Sequence, residues 1–223
     1  DEISKLAKKY DLWLHVDGAF GGSVLFSDKY KHLIKGVENS DSFCFNAHKT
    51  LGVPLSTSIL VVKNSDTLQQ SFSNKASYLY QTHDNEFNLG YSSFECGRRN
   101  NALKFWVLWK SVGSIGLEQM IDHEFALAQY ARDYVKNNDN YKLYNDHESM
   151  SVCFNYKNYD PQDLCKKLYE YNKLMVGYGN FKNISFVRLV TINSQNSNKE
   201  IDSFFKILEQ FCEEHDDKIK KIN

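Results

Sequence analysis

An α/β fold followed by a smaller α+β domain is the architecture this sequence predicts, and three observations carry that expectation. Short apolar runs at Leu12–Val16, Phe43–Phe45 and Ile59–Val62 are rich in aromatic and β-branched residues, the composition of strands buried on both faces of a sheet. Helical spacing returns from Asn101 to about Lys136, with Ala102, Phe105, Trp106 and Trp109 on one stripe. Behind it, strand and helix patterns alternate to the end of the chain, the signature of a second mixed domain. The boundary is expected near Val112, giving segments 1–112 and 113–223.

Taken in order, Ile3, Leu6, Ala7 and Tyr10 recur at helical spacing, and the run Leu12–Val16 then ends in Asp17 and a glycine-containing turn. From Ser73 to Gly97 periodicity is lost among Ser, Asn, Gln and Gly, with several tyrosines, and a loop of that length is functional or disordered. The long helix carries a break at Val112-Gly113-Ser114-Ile115-Gly116. Strands are expected at Tyr141–Tyr144, Val152–Tyr156 and Phe186–Ile192, and helices at Pro161–Leu174 and Glu200–His215. Asp160-Pro161 supplies an N-cap and a preset first turn.

Composition narrows the function classes. With 42% hydrophobic and 25% charged residues the chain can bury a proper core, and its net charge of −1 supplies no field for nucleic acid or an anionic membrane surface. No apolar run approaches the length of a membrane span. A small-molecule partner is therefore expected. Five cysteines, at 44, 96, 153, 165 and 212, show no C-x-x-C pair or metal-ligand spacing, which fits reduced thiols, a cytoplasmic setting and no metal. The first residue is Asp1 and it opens directly on a helical pattern, so the chain is expected to be a piece of a longer protein.

Two residues carry the chemistry. Asp17 closes an apolar strand and precedes Gly18-Ala19-Phe20-Gly21-Gly22, the place where α/β proteins present ligand-binding groups. Its carboxylate can pair with a protonated ring nitrogen, or it can cap the turn. Lys49 ends the run Ser42-Phe43-Cys44-Phe45-Asn46-Ala47-His48-Lys49, so an amine emerges among apolar neighbours. Such a lysine serves as a Schiff-base nucleophile, or it snorkels at a strand end. Asn46 and His48 can contact a phosphate or carboxylate, or satisfy a turn. An amine and a carboxylate at neighbouring strand ends together suit a pyridoxal phosphate site. A dinucleotide site is disfavoured, because no G-x-G-x-x-G follows a strand.

Three stretches then converge. Trp13-Leu14-His15-Val16-Asp17-Gly18-Ala19-Phe20-Gly21-Gly22, the Ser42–Lys49 run with Gly52-Val53-Pro54-Leu55 after it, and Glu95-Cys96-Gly97-Arg98-Arg99 with Leu103-Lys104-Phe105-Trp106 resemble the group II pyridoxal-dependent amino acid decarboxylases. Within that family the chain is most similar to glutamate and cysteine sulfinate decarboxylases, with aromatic amino acid decarboxylases more distant. The resemblance runs over essentially the whole chain. It implies an aspartate aminotransferase-like fold, with part of the large domain and its mixed sheet followed by the small C-terminal domain, and a homodimer with active sites at the subunit interface.

The resemblance also implies roles. Lys49 would hold the cofactor as the Schiff-base lysine, Asp17 would pair with the pyridine nitrogen, and Ala19 would pack against the ring. Asn46 and His48 match residues near the phosphate, and Arg188 in Phe186-Val187-Arg188-Leu189-Val190 matches the arginine that grips the substrate α-carboxylate, which a planar guanidinium can do bidentately. Residues 76–96 resemble the family's catalytic loop, which supplies a tyrosine that protonates the α-carbon. Phe87 aligns with that tyrosine here and Tyr91 is the nearest phenol, with Glu86 and His83 as weaker alternatives. Gly18 replaces the common alanine, a change expected to be harmless. The family's side-chain pocket, ring-stacking aromatic residue and main phosphate loop come from the half of the protein upstream of these residues.

The resulting expectation is a pyridoxal phosphate-dependent carboxy-lyase acting on an acidic L-amino acid: glutamate, aspartate or cysteine sulfinate. The alternatives are an aromatic amino acid decarboxylase or aldehyde synthase on the same fold, and a non-catalytic truncated paralogue that only dimerises.

Overall fold

A computed structural model describes residues 1–72, 89–93, 95 and 97–222. The chain forms two compact units, Asp1–Glu118 and Gln119–Asn223.

In the first unit, helix α1 (Glu2–Lys9) leads to strand β1 (His15–Gly18), and β2 (Ser42–Asn46) runs directly into the one-turn helix α2 (Ala47–Thr50). Strand β3 (Ser58–Val62) and helix α3 (Asp66–Phe72) follow. The sheet order is β1-β2-β3, with β1 parallel and β3 antiparallel to β2. A parallel pair needs a crossover, and here three 3-10 turns at Gly22–Phe26, Lys31–Ile34 and Val37–Asn39 supply it.

The register sorts the side chains. His15 lies opposite Ser42, Asp17 opposite Cys44, and Cys44 opposite Leu60, so these share one face. Val16, Gly18, Phe43, Phe45, Ile59 and Val61 share the other. Phe26 meets the apolar face edge-on at Phe45, with ring centroids 5.9 Å apart, and Trp109 and Phe105 extend the cluster. The expectation of burial on both faces holds for β2, none of whose residues is exposed, and differs for β1 and β3. Val61 is 54% exposed and Leu60 49%, and β1 alternates exposed with half-buried residues. Helix α1 forms where the helical spacing places it, with Ser4 and Ala7 buried and Ile3, Leu6 and Tyr10 exposed.

Gly18 is not a neutral replacement. A Cβ there would lie 2.7 Å from the Cys44 carbonyl oxygen, 2.7 Å from Phe43 Cε2 and 2.9 Å from Gly22 Cα. The Phe43 ring occupies the space an alanine methyl would need, so Gly18 lets β1 and the following turn close onto β2.

The long helix α4 (Asn101–Lys136) is interrupted where the sequence places its break. Gly113 adopts φ 70° and ψ 178°, a conformation open essentially to glycine alone.

In the second unit, β4 (Tyr141–Leu143), β5 (Ser151–Tyr156), β6 (Gly177–Phe181) and β7 (Ile184–Val190) form an antiparallel sheet in the order β4-β5-β7-β6. Helices α5 (Pro161–Glu170) and α6 (Asn198–Glu214) belong to the same core, in which Phe154, Val187, Leu168, Phe205 and Leu208 are fully buried. Asp160 caps α5 by accepting the Asp163 N–H at 2.8 Å, and Ser197 with Glu200 forms a capping box on α6. Helix α5 ends at Glu170 rather than Leu174, because the chain reverses at Asn172 with φ 55°. Strand β6 was not anticipated. Its Gly-Tyr-Gly-Asn-Phe stretch lacks apolar alternation, and it is held by a two-residue hairpin in which Lys182 and Asn183 both have positive φ. Among the described residues no helix is long and apolar enough to cross a membrane.

Candidate active site

The parallel pairing of β1 and β2 brings their carboxyl ends side by side, and this is what assembles the site. Asp17 leaves β1 with its carboxylate at the surface. Its Oδ1 accepts the Ala19 N–H at 2.9 Å and the Cys44 thiol at 3.6 Å. The Ala19 carbonyl in turn accepts the Asn46 N–H at 3.2 Å, tying the turn after β1 to the end of β2.

These contacts set the charge. The Ala19 N–H is the main influence holding the Asp17 carboxyl below its ordinary value of 3.8. The Cys44 thiol, His15 and Lys49 act in the same direction, against partial desolvation. The Cys44 thiol is pushed up from its ordinary range, chiefly by desolvation and then by the Asp17 charge, with Lys49 acting the other way.

Lys49 rides on α2, whose first residue follows Asn46 at the N-cap. Two contacts secure this single turn. Thr50 Oγ1 donates to Ser23 Oγ in a buried contact, and Gly52, with φ 63°, reverses the chain after it. His48 is pinned by one residue: its Nδ1 lies 2.9 Å from the Thr57 carbonyl oxygen and 3.0 Å from the Thr57 nitrogen, so the ring is held whichever nitrogen carries the proton. Asp17, Ala19, Asn46, His48 and Lys49 are therefore gathered at one end of the β1–β2 pair.

The remaining expected residues lie elsewhere. Arg188 sits in the second unit on β7, opposite Cys153 and next to the fully buried Val187, so its side chain leaves the sheet on the face away from that core. Its Nε and Nη2 both donate to Ser151 Oγ at 3.3 Å, which holds one edge of the planar guanidinium. Tyr91 falls in a 3-10 turn, Leu89–Ser92. Glu86, Phe87 and His83 lie outside the described residues. Sequence reasoning passed over Cys44 and His15; their alternation with Phe43 and Val16 was the available signal.

Residues 1–157 match the family model of the pyridoxal-dependent decarboxylase conserved domain. The chain belongs to that family. Acidic amino acid decarboxylase GADL1 of Mus musculus is 34% identical over 224 residues, covering 91% of this chain and 41% of that protein. Cysteine sulfinic acid decarboxylase of Mus musculus is 38% identical over 158 residues, covering 69% of this chain and 32% of that protein. The crystal structure of mouse CSAD superposes with a TM-score of 0.83 at 30% identity, covering 93% of this chain and 47% of that one. This decarboxylase-family chain thus spans less than half the length of these relatives, and its fold is the aspartate aminotransferase-like fold of the family.

Proposed function

We propose that the protein is a pyridoxal phosphate-dependent carboxy-lyase that converts an acidic L-amino acid (glutamate, aspartate or cysteine sulfinate) to its amine and carbon dioxide, working as a cytoplasmic homodimer. One observation supports the reading: the parallel pairing of β1 with β2 brings the Asp17 carboxylate and the helical turn that carries Lys49 to the same end of the sheet. The names of the acidic amino acid and cysteine sulfinic acid decarboxylases support the substrate class.

The donor set suits the cofactor. An anionic carboxylate near the carboxyl end of its strand fits a cationic ring nitrogen, and the short Ala19 side chain leaves room for a ring. Pyridoxal phosphate, when bound, supplies an electron sink for the pair left on the α-carbon as carbon dioxide departs. The rest is the work of the protein. Lys49 would hold the cofactor through its side-chain amine. Asp17 keeps the ring nitrogen protonated. Asn46 and His48 would contact the cofactor's phosphate. Arg188 grips the α-carboxylate in a planar fork, and Tyr91 returns a proton to the α-carbon.

The test uses the intact protein that carries these residues. With pyridoxal phosphate added, a Schiff-base absorption band should appear, and borohydride should trap the cofactor on the peptide containing Lys49. Release of carbon dioxide from glutamate, aspartate, cysteine sulfinate and tyrosine then sets the substrate class, and product analysis separates amine from aldehyde. Trapping on a different lysine would overturn the assignment.

A further inference from the structure

Four side chains with no role in the chemistry above lie in a row that ends at Asp17. Trp13 Nε1 is 2.9 Å from Ser42 Oγ, and Ser42 Oγ is 2.7 Å from His15 Nδ1. His15 Nε2 is 3.7 Å from Cys44 Sγ, and Cys44 Sγ is 3.6 Å from Asp17 Oδ1. Each of these is an ordinary contact alone, and the order of protons along the row is what joins them.

Both ends are fixed by chemistry. An indole N–H can only donate, and an ionised carboxylate can only accept. Cys44 must therefore donate its thiol proton to Asp17, which leaves its sulfur to accept from His15 Nε2–H. A neutral imidazole protonated on Nε2 has a bare Nδ1, which accepts the Ser42 hydroxyl proton. Ser42 Oγ then accepts from Trp13. With a neutral imidazole this one arrangement satisfies every contact, and every donor in it points toward Asp17. The parallel register makes the row possible, because it sets His15 beside Ser42 and Asp17 beside Cys44 on the same face.

The end of the row has a consequence for the carboxylate. Oδ1 takes both the Cys44 thiol and the Ala19 N–H, whereas Oδ2 has no hydrogen bond among the described residues. One oxygen is anchored and the other is left to accept. We propose that His15 and Cys44 are positioning residues for Asp17: a one-way chain of donors, Trp13 to Ser42 to His15 to Cys44, clamps Oδ1 so that Oδ2 is presented to the ring nitrogen of the cofactor. The ring-nitrogen end of this proposal rests on the cofactor reading above, and the chain itself does not.

The experiment separates the two. In the intact protein without cofactor, the rate of Cys44 alkylation by iodoacetamide is followed against pH by peptide mass spectrometry, with Cys153, Cys165 and Cys212 as internal references. Asp17→Asn removes the negative charge facing the thiol and should speed Cys44 alkylation near pH 8 by on the order of threefold to tenfold. His15→Phe removes the donor to the thiolate and should slow it by a similar factor. In the cofactor-loaded protein, Cys44→Ala should move the pH midpoint of the absorption band and lower kcat about threefold with little change in KM, while Cys44→Ser, which keeps a donor, should restore both. Alkylation indifferent to both Asp17→Asn and His15→Phe overturns the chain, as does equal behaviour of Cys44→Ala and Cys44→Ser. If Lys49 is trapped by borohydride but alkylation is indifferent, the chain fails and the proposed function stands. If alkylation responds in both directions but no cofactor binds, the chain stands and the cofactor reading fails.

Discussion

Replacing Gly18 with alanine tests whether the close approach of β1 to β2 is structural. The new methyl carbon would sit 2.7 Å from the Cys44 carbonyl oxygen, 2.7 Å from Phe43 Cε2 and 2.9 Å from Gly22 Cα. The Phe43 ring can swing aside, but the other two atoms are backbone, one of them in the strand paired with β1. Relief therefore requires β1 and its turn to move off β2. Overpacking of this kind costs about 1–3 kcal/mol, which lowers Tm by roughly 2–12 °C in a protein of this size. Gly21→Ala is the internal control, because a Cβ there meets nothing within 4 Å and the residue has φ −93°. It should be neutral or stabilising by up to about 1 kcal/mol through the unfolded chain. Urea unfolding of both variants at matched m-values is the assay. A Gly18→Ala variant as stable as Gly21→Ala would refute the argument.

Three other perturbations follow from the same structure. Both carboxyl oxygens of Glu124 are buried with no hydrogen-bond partner among the described residues, and burial raises its pKa from the ordinary 4.5 to about 9. The unfolded chain ionises first, so stability is greatest below pH 4.5 and is lost as pH rises toward 9; Glu124→Gln should add on the order of 3 kcal/mol at pH 7 and progressively less toward pH 5. A gain independent of pH in urea titrations would contradict this. Ser197→Ala removes the capping box of α6 and should cost about 1 kcal/mol, read as a shift in the urea midpoint, with Ser197→Asp retaining most of the stability. Arg188→Lys keeps the charge but loses the planar fork, so KM for the amino acid should rise on the order of tenfold with the absorption band unchanged; an unaltered KM would remove Arg188 from substrate binding.

Local chemistry was the legible part of this protein. Asp160-Pro161 announced the start of α5, and the Val112–Gly116 stretch announced the interruption now seen at Gly113. The lysine after β2 and the aspartate near the end of β1 stood out because each follows an apolar run. Less was readable wherever contacts between distant segments decide. Nothing local says that α1 buries Ser4 and Ala7 rather than Ile3 and Leu6, since helical spacing fixes a stripe but not which side meets the sheet. The strand Gly177–Phe181 exists because β7 pairs with it through a positive-φ turn, and its own composition argues against it.

The sequence alone determined which residue types were available and where each strand and helix could begin, because caps, breakers and periodicity act within a few residues. Only the tertiary structure decided which side chains share a face. The parallel register of β1 on β2 sets Cys44 beside Asp17, and a slip of one residue would turn Cys44 to the opposite face and put Phe43 or Phe45 in its place. Register is settled by packing between residues 27 positions apart in the chain, and no short window of the sequence contains it.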